Sequence, residues 1–163
     1  MIETLCTIGY EGADIEAFIA TLARHRIRML IDVRDVPISR KKGFSKSSLR
    51  TALAGHDIDY LHLKGLGDPK PGRLAARAGD MPLFQRIFRA HMQTQGAKHD
   101  LEIAVKAVTQ TAAALMCFER EPCGCHRSIV ANKIVHITGQ RLHNMSVPGN
   151  SARHGTTKES RAA

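Results

Sequence analysis

A chain of 163 residues with 24 Lys+Arg against 15 Asp+Glu carries a net charge of +9, and it is long enough for one domain with a buried core. The positive balance points to anionic partners, a small molecule or a nucleic acid, and leaves the fold open. With no Trp and 4% aromatic residues, a base-stacking platform is disfavoured, since it needs several exposed rings.

Residues 5–8 are apolar and predict a strand that ends at Gly9-Tyr10-Glu11-Gly12. Asp14 is placed to cap a helix in which Ile15, Phe18, Ile19 and Leu22 share one face. Residues 29–33 are apolar enough for a strand buried on both faces, and a basic loop from Arg34 to Gly43 follows. Ser45 is placed to cap a short helix carrying Leu49 and Leu53, and residues 59–63 alternate as a strand. Lys64 to Gly79 is rich in Gly, Pro and cations and reads as a long loop. Asp80 then caps a helix with Phe84, Ile87, Phe88 and His91 on one stripe, and another helix turns Leu101, Ala104, Val105 and Val108 inward. A strand through Leu115 and Met116, a helix from His126 to a terminating Gly139, and a short strand over residues 141–145 complete the order.

Strands alternating with helices predict a single α/β domain over residues 1–145, a mainly parallel sheet flanked by helices in the doubly wound manner. From residue 146 to 163, Pro, Gly, Asn, Ser and basic residues replace apolar ones, which reads as a basic disordered tail. No apolar run reaches the ~18 residues of a membrane helix. Glu3 stands where a signal peptide would be basic, so the expectation is a cytoplasmic protein with no membrane partner. Its four cysteines then read as catalytic, metal-binding or buried thiols.

The densest chemistry lies in residues 114–131, an apolar strand, a polar loop and the first turns of a helix. Cys125, His126 and Arg127 fall where the loop becomes the helix. Free N–H groups and the positive end of the helix dipole favour an anion there, and a thiol tends toward thiolate. Cys125 is the candidate nucleophile; the plainer alternative is a cysteine packed under the loop. His126, with a free pKa near neutrality, is a candidate proton carrier, against capping or facing solvent. Arg127 is the candidate clamp for an oxyanion or phosphate, against an ion pair with Glu119 or Asp32.

Ligands of open parallel sheets bind outside the carboxyl ends of the strands, and two other strand ends here are polar. Asp32 and Arg34 lie two apart on one strand and share a side, so they join the catalytic candidates, with a structural salt bridge as the alternative. Tyr10, Glu11 and Glu119 are candidate substrate contacts. Ser39, Arg40, Lys41 and Lys42 form a basic loop suited to phosphate, against a solvated mobile loop, and Phe44 is a candidate stacking ring, against core packing. Cys117, Cys123 and Cys125, with His126, offer a zinc set, but the Cys-x-Cys-His spacing is tighter than usual, so no cofactor is expected. Oxidation offers a Cys123–Cys125 disulfide or a sulfenic acid on Cys125. His62 reads as packing.

Thr7-Ile-Gly-Tyr-Glu-Gly12, Leu30-Ile-Asp-Val-Arg34, Pro37, Ser39-Arg40, Gly43-Phe-Ser-Lys46, Tyr60-Leu-His-Leu63, Leu66-Gly67, Cys117-Phe-Glu119 and Cys125-His-Arg127 together resemble the family called domain of unknown function 488, from about Thr4 to His143. The resemblance implies fold and site location and no reaction. Pro122-Cys123-Gly124 departs from the family's usual ending and adds a thiol. Asp32-Val-Arg34 is also similar to a short motif of rhodanese-like domains. The leading reading is an enzyme whose anion-binding site takes a nucleotide, a nucleic acid or a phosphorylated compound through the Cys-His-Arg turn. The alternatives are a non-catalytic nucleic-acid-binding module and a thiol redox or metal-binding protein.

Overall fold

Five parallel strands form one sheet in the order β3-β2-β4-β1-β5 in a computed structural model that describes residues 1–149. They are β1 (Thr4–Gly9), β2 (Met29–Asp32), β3 (Asp59–His62), β4 (Ala113–Cys117) and β5 (Arg141–Met145). The helices are α1 (Ile15–Arg24), α2 (Lys46–Ala54), α3 (Lys70–Arg77), α4 (Met81–His91), α5 (Gln95–Gln110) and α6 (His126–Thr138), with a 3-10 turn at Lys64–Leu66. This single α/β domain is doubly wound, as the alternation of elements predicts.

Strand alternation divides the core between the two faces. Leu30 of β2 and Ala114 and Met116 of β4 join Phe18 and Leu22 of α1 and Leu49 and Leu53 of α2. Ile31 of β2 and Ala113, Leu115 and Cys117 of β4 join Phe84 and Phe88 of α4, Val108 of α5, and Val130 and Ile134 of α6. Each fully buried Leu or Phe among them contributes roughly 1.5–3 kcal/mol. The chain therefore leaves β1 and β2 toward one face and β4 toward the other. Because β4 lies between β2 and β1, its carboxyl end is bordered on both sides by chain departing the opposite way, the place where such sheets open a crevice.

Caps mark the helix starts. Asp14 accepts from the Ala17 N–H at 2.7 Å and Asp80 from that of Leu83 at 3.1 Å, each worth about 1 kcal/mol. Ser45 holds the N-cap position of α2 but makes no side-chain cap. Its hydroxyl instead closes the basic loop, accepting from the Ser39 N–H and donating to the Ser39 carbonyl.

The segment from Lys64 to Gly79 is not one long loop: it holds the 3-10 turn and α3. The inward face of α3 is made of Gly72 and Ala75, while Leu74 is exposed, so no apolar stripe announces it. The packed chain also runs past residue 145, since Val147 is buried with Met145. The tail expected beyond it lies, from residue 150 on, outside the described residues. Among the described residues no helix is long and apolar enough to cross a membrane.

Candidate functional site

Cys125 occupies the N-cap of α6, with its sulfur accepting from the Arg127 N–H at 3.3 Å. The preceding turn is fixed by Gly124 at φ +77° and by the Pro122 carbonyl, which accepts from the Cys125 N–H and the Ser128 hydroxyl. An N-cap normally presents an oxygen to these N–H groups. A sulfur there gains most from them as thiolate, with the helix dipole behind it.

The second thiol is Cys117, at the end of β4 and fully buried. Its sulfur lies 2.9 Å from that of Cys125, and both cysteines are free. Arg127, with no exposed surface, donates from Nη1 to the Cys117 sulfur at 3.1 Å and to the Glu119 carbonyl at 2.9 Å. Its Nε and Nη2 have no partner. Gly9 makes room for this arrangement: a Cβ there would stand 1.8 Å from the Glu119 carbonyl oxygen and 2.7 Å from Nη1 of Arg127.

His126 neither caps the helix nor faces solvent. It is buried, its ring edge-on to Phe88 at 5.6 Å, and Nε2 lies 2.8 Å from the Val33 carbonyl oxygen. A carbonyl only accepts, so Nε2 carries a proton, and Nδ1 is the atom facing the Cys125 sulfur, at 3.8 Å. The hydrogen bond from Cys117 pulls the Cys125 thiol down against burial, His126 adds to the pull, and the result is about 6. Burial opposes an imidazolium at His126, but the Cys125 sulfur and the Val33 carbonyl outweigh it and raise the ring to about 9. Burial pushes Cys117 well up. The pair therefore favours thiolate on Cys125, thiol on Cys117 and imidazolium on His126. The Glu119 carboxylate, 3.3 Å from the Cys125 sulfur, works against the thiolate.

Asp32 and Arg34 form a closed unit on the other face of the sheet. The Asp32 carboxylate accepts from the Arg34 N–H, Nε and Nη2 and from the Tyr60 hydroxyl, and Nη1 of Arg34 donates to the Tyr10 hydroxyl and the Phe44 carbonyl. That occupies all but one of the guanidinium N–H groups. Burial disfavours the Arg34 charge, and the Asp32 hydrogen bonds and charge more than restore it. A single pocket in which Cys125-His126-Arg127 faces Asp32 and Arg34 is thus not what forms. The sheet separates them, and Val33, between Asp32 and Arg34, joins them through its carbonyl. Nor does Arg127 form the ion pair that was its alternative role, since its partner at Glu119 is the backbone carbonyl.

The remaining candidates fall in three places. Phe44 is fully buried with its ring stacked on Tyr10 at 4.4 Å, so both rings are spent on packing. Glu11 ties the β1 loop to the β4 loop: its N–H donates to the Phe118 carbonyl and its carboxylate accepts from the Arg120 N–H. Ser39 braces its own loop by accepting from the Lys41 N–H, while Arg40 and Lys42 are exposed and Lys41 half-buried, with no ion pair among the described residues.

The cysteine trio expected for a metal is also rearranged. Cys123 is exposed, and the group whose ligand atoms lie within 4.8 Å of one another is Cys117, Glu119 and Cys125. His62 bonds to the Arg34 carbonyl at 2.7 Å.

One residue escaped the sequence reading. Asp68 is buried with Oδ1 unpartnered, and burial raises it to about 6 while the charges of His126 and Arg73 pull it back. It sits in the segment read as loop, above Gly72, where a Cβ would meet Oδ1 at 2.0 Å. Its one sequence signal is the glycine on either side, Gly67 and Gly72. Two surface depressions, of about 270 and 590 Å³, are lined by Arg26, Arg28 and His56 and by Arg50, Asp59 and Tyr60 among others. They lie near the amino ends of β2 and β3, away from the Cys-His-Arg turn.

The model of the family described as Domain of unknown function DUF488 matches residues 14–134, a span that holds β2, β4 and the Cys-His-Arg turn. No curated protein and no solved structure matches the chain. With about three quarters of its length under that one family model, the chain belongs to the DUF488 family.

Proposed function

We propose that the protein is an enzyme that binds an anionic substrate at the carboxyl edge of the sheet and attacks it with the Cys125 thiolate. A nucleotide, a nucleic acid or another phosphorylated compound suits the positive charge of the chain. The observation that carries this reading is Arg127, a guanidinium with no exposed surface and two unpartnered nitrogens beside the start of a 13-residue helix. Unmet donors on a buried charge are costly. An anion presenting two oxygens to Nε and Nη2 together would satisfy both, and the helix N-terminus would add to its binding.

In the first step the Cys125 sulfur bonds to the electrophilic centre of the substrate, and the leaving group departs with the Nδ1 proton of His126. The neutral imidazole then takes a proton from water, whose oxygen displaces the sulfur and restores the thiolate. Arg127 holds the charge that develops between the two steps. Asp32 and Arg34 act as positioning residues, because they fix the end of β2 whose Val33 carbonyl aims His126. A pure nucleic-acid-binding module would use Arg40, Lys41 and Lys42 and leave the thiol pair and His126 without a role. A reducing compartment such as the cytoplasm would keep the thiols available.

The test is thermal unfolding in the presence of inorganic phosphate and of nucleoside mono- and diphosphates. The expected result is stabilisation by at least one of them, about 2.7 kcal/mol at a hundredfold excess over Kd, abolished in Arg127→Met. No stabilisation of the wild-type chain by any of these anions would overturn the reading.

A further inference from the structure

We propose that Cys117 and Cys125 are a reversible dithiol–disulfide couple, in which a small hydroperoxide oxidises Cys125 and Cys117 resolves it. The proposal rests on the same Cys125 thiolate as the reading above, and adds a second activity at that sulfur. The two free sulfurs already stand 2.9 Å apart. A disulfide bond is about 2.04 Å long, so they close the remainder by an approach of under about 1 Å. One sulfur sits at the end of a strand and the other at the start of a helix, so each is carried by a regular element. Cys123, the nearer neighbour in sequence, is exposed and outside the pair.

Metal chelation fits this spacing less well. Two zinc–sulfur bonds of about 2.3 Å at a tetrahedral angle hold their sulfurs about 3.8 Å apart. The Arg127 guanidinium on the Cys117 sulfur also sets a positive charge where a cation would bind. For a disulfide that guanidinium is an asset, since it stabilises Cys117 as the departing thiolate when the bond is reduced. The oxidant proposed is a small hydroperoxide, which needs only a narrow approach to Cys125, 5% exposed.

In the first step the Cys125 thiolate forms a sulfur–oxygen bond as the oxygen–oxygen bond breaks. The other oxygen leaves as alcohol or water, taking a proton from His126, and Cys125 becomes a sulfenic acid. In the second step the Cys117 sulfur bonds to the Cys125 sulfur, the sulfur–oxygen bond breaks, and hydroxide leaves with the Cys117 proton as water. Two thiols lose two electrons in all, and the hydroperoxide gains them. A dithiol reductant reverses the change, and while the bond stands Cys125 is unavailable as a nucleophile.

The experiment treats the full chain at pH 7 with one equivalent of hydrogen peroxide, followed by thiol counting, intact mass and peptide mapping. The expected result is a fall from four free thiols to two, loss of two hydrogens, a Cys117–Cys125 peptide, and full reversal by dithiothreitol. Cys117→Ser, with Cys117→Ala as the second variant should it not fold, should gain one oxygen on Cys125 that dimedone captures. Cys123→Ser should cross-link as the wild type does. A bond through Cys123, a bond between chains, or four thiols left free would overturn the couple. Four free thiols together with fast alkylation of Cys125 at pH 7 would overturn the couple alone and leave Cys125 standing as a nucleophile.

Discussion

Nε2 of His126 donates to the carbonyl oxygen of Val33 at 2.8 Å, and that bond aims Nδ1 at the Cys125 sulfur. Val33 lies between Asp32 and Arg34, whose ion pair closes at 2.7 Å. A buried pair on one face of the sheet thereby sets the place of a proton carrier on the other.

Asp32→Asn should be among the most destabilising substitutions in the chain. It leaves the buried Arg34 charge without its partner, a loss of about 3–5 kcal/mol. Urea unfolding measures it, and a cost under about 1 kcal/mol would show that the pair is dispensable to the fold. In the protein that remains folded, Cys125 alkylation should shift to higher pH, because the backbone beside the Val33 carbonyl loses the bond from the Arg34 N–H to the Asp32 carboxylate.

Two neighbours should move the Cys125 thiol in opposite directions. His126→Gln removes a group that pulls it down, so its midpoint should rise from about 6 toward the ordinary 9.0. Glu119→Gln removes a charge that pushes it up, so the midpoint should fall. Thiolate absorbance against pH follows both, and shifts of the same sign would contradict the arrangement.

Gly9→Ala should disrupt the site, since its Cβ would press on both the Glu119 backbone and Nη1 of Arg127. The backbone cannot swing aside as a side chain can. The expected cost is about 2–3 kcal/mol or more, read as a lower denaturant midpoint. A variant as stable as the wild type would mean that the β1 and β4 loops are not packed as described.

Asp68 should behave as a charge held under strain. Burial raises its pKa from 3.8 to about 6, so its contribution to stability is full below 3.8 and is lost as the pH rises through 6. Asp68→Asn should therefore be more stable than the wild type at pH 7.5, with the advantage gone at pH 4. An equal effect at both values would show that the charge is not the cause.

The parallel sheet, the helix caps at Asp14 and Asp80, and the helix start at Cys125 were legible because each rests on local periodicity or a capping residue. What joins distant segments was not. Adjacency suggests Cys123 as the partner of Cys125, yet strand alternation sends Cys117 to the face that α6 covers. Asp32 and Arg34 look like the opposite wall of one pocket until strand alternation puts them on the face of Leu30, Tyr10 and Phe44, away from Ile31 and α6. Helix α3 and Asp68 escaped because small residues, Gly72 and Ala75, make that contact.

Stability is a poor reporter of the Cys125–His126 pair. His126 is raised from 6.5 to about 9, so its share is full below 6.5 and lost as the pH rises through 9. Cys125 is lowered from 9.0 to about 6, so its share is full above 9 and lost as the pH falls through 6. Between 6.5 and 9 the folded chain holds one proton on His126 and the unfolded chain one on Cys125, and the slopes cancel. The stability difference between the wild type and a Cys125→Ser/His126→Gln double variant should therefore stay flat from pH 7 to 8.5. A slope there would mean that the two groups do not titrate as a pair.

Reactivity does report it. In a Cys123→Ser background, which removes the exposed thiol, the rate of Cys125 alkylation by a small neutral haloacetamide is followed by mass spectrometry from pH 4 to 10. A thiolate at the start of α6 beside His126 predicts a rate that climbs with a midpoint near 6; a midpoint near 9, that of a free cysteine, would contradict Cys125 as the nucleophile.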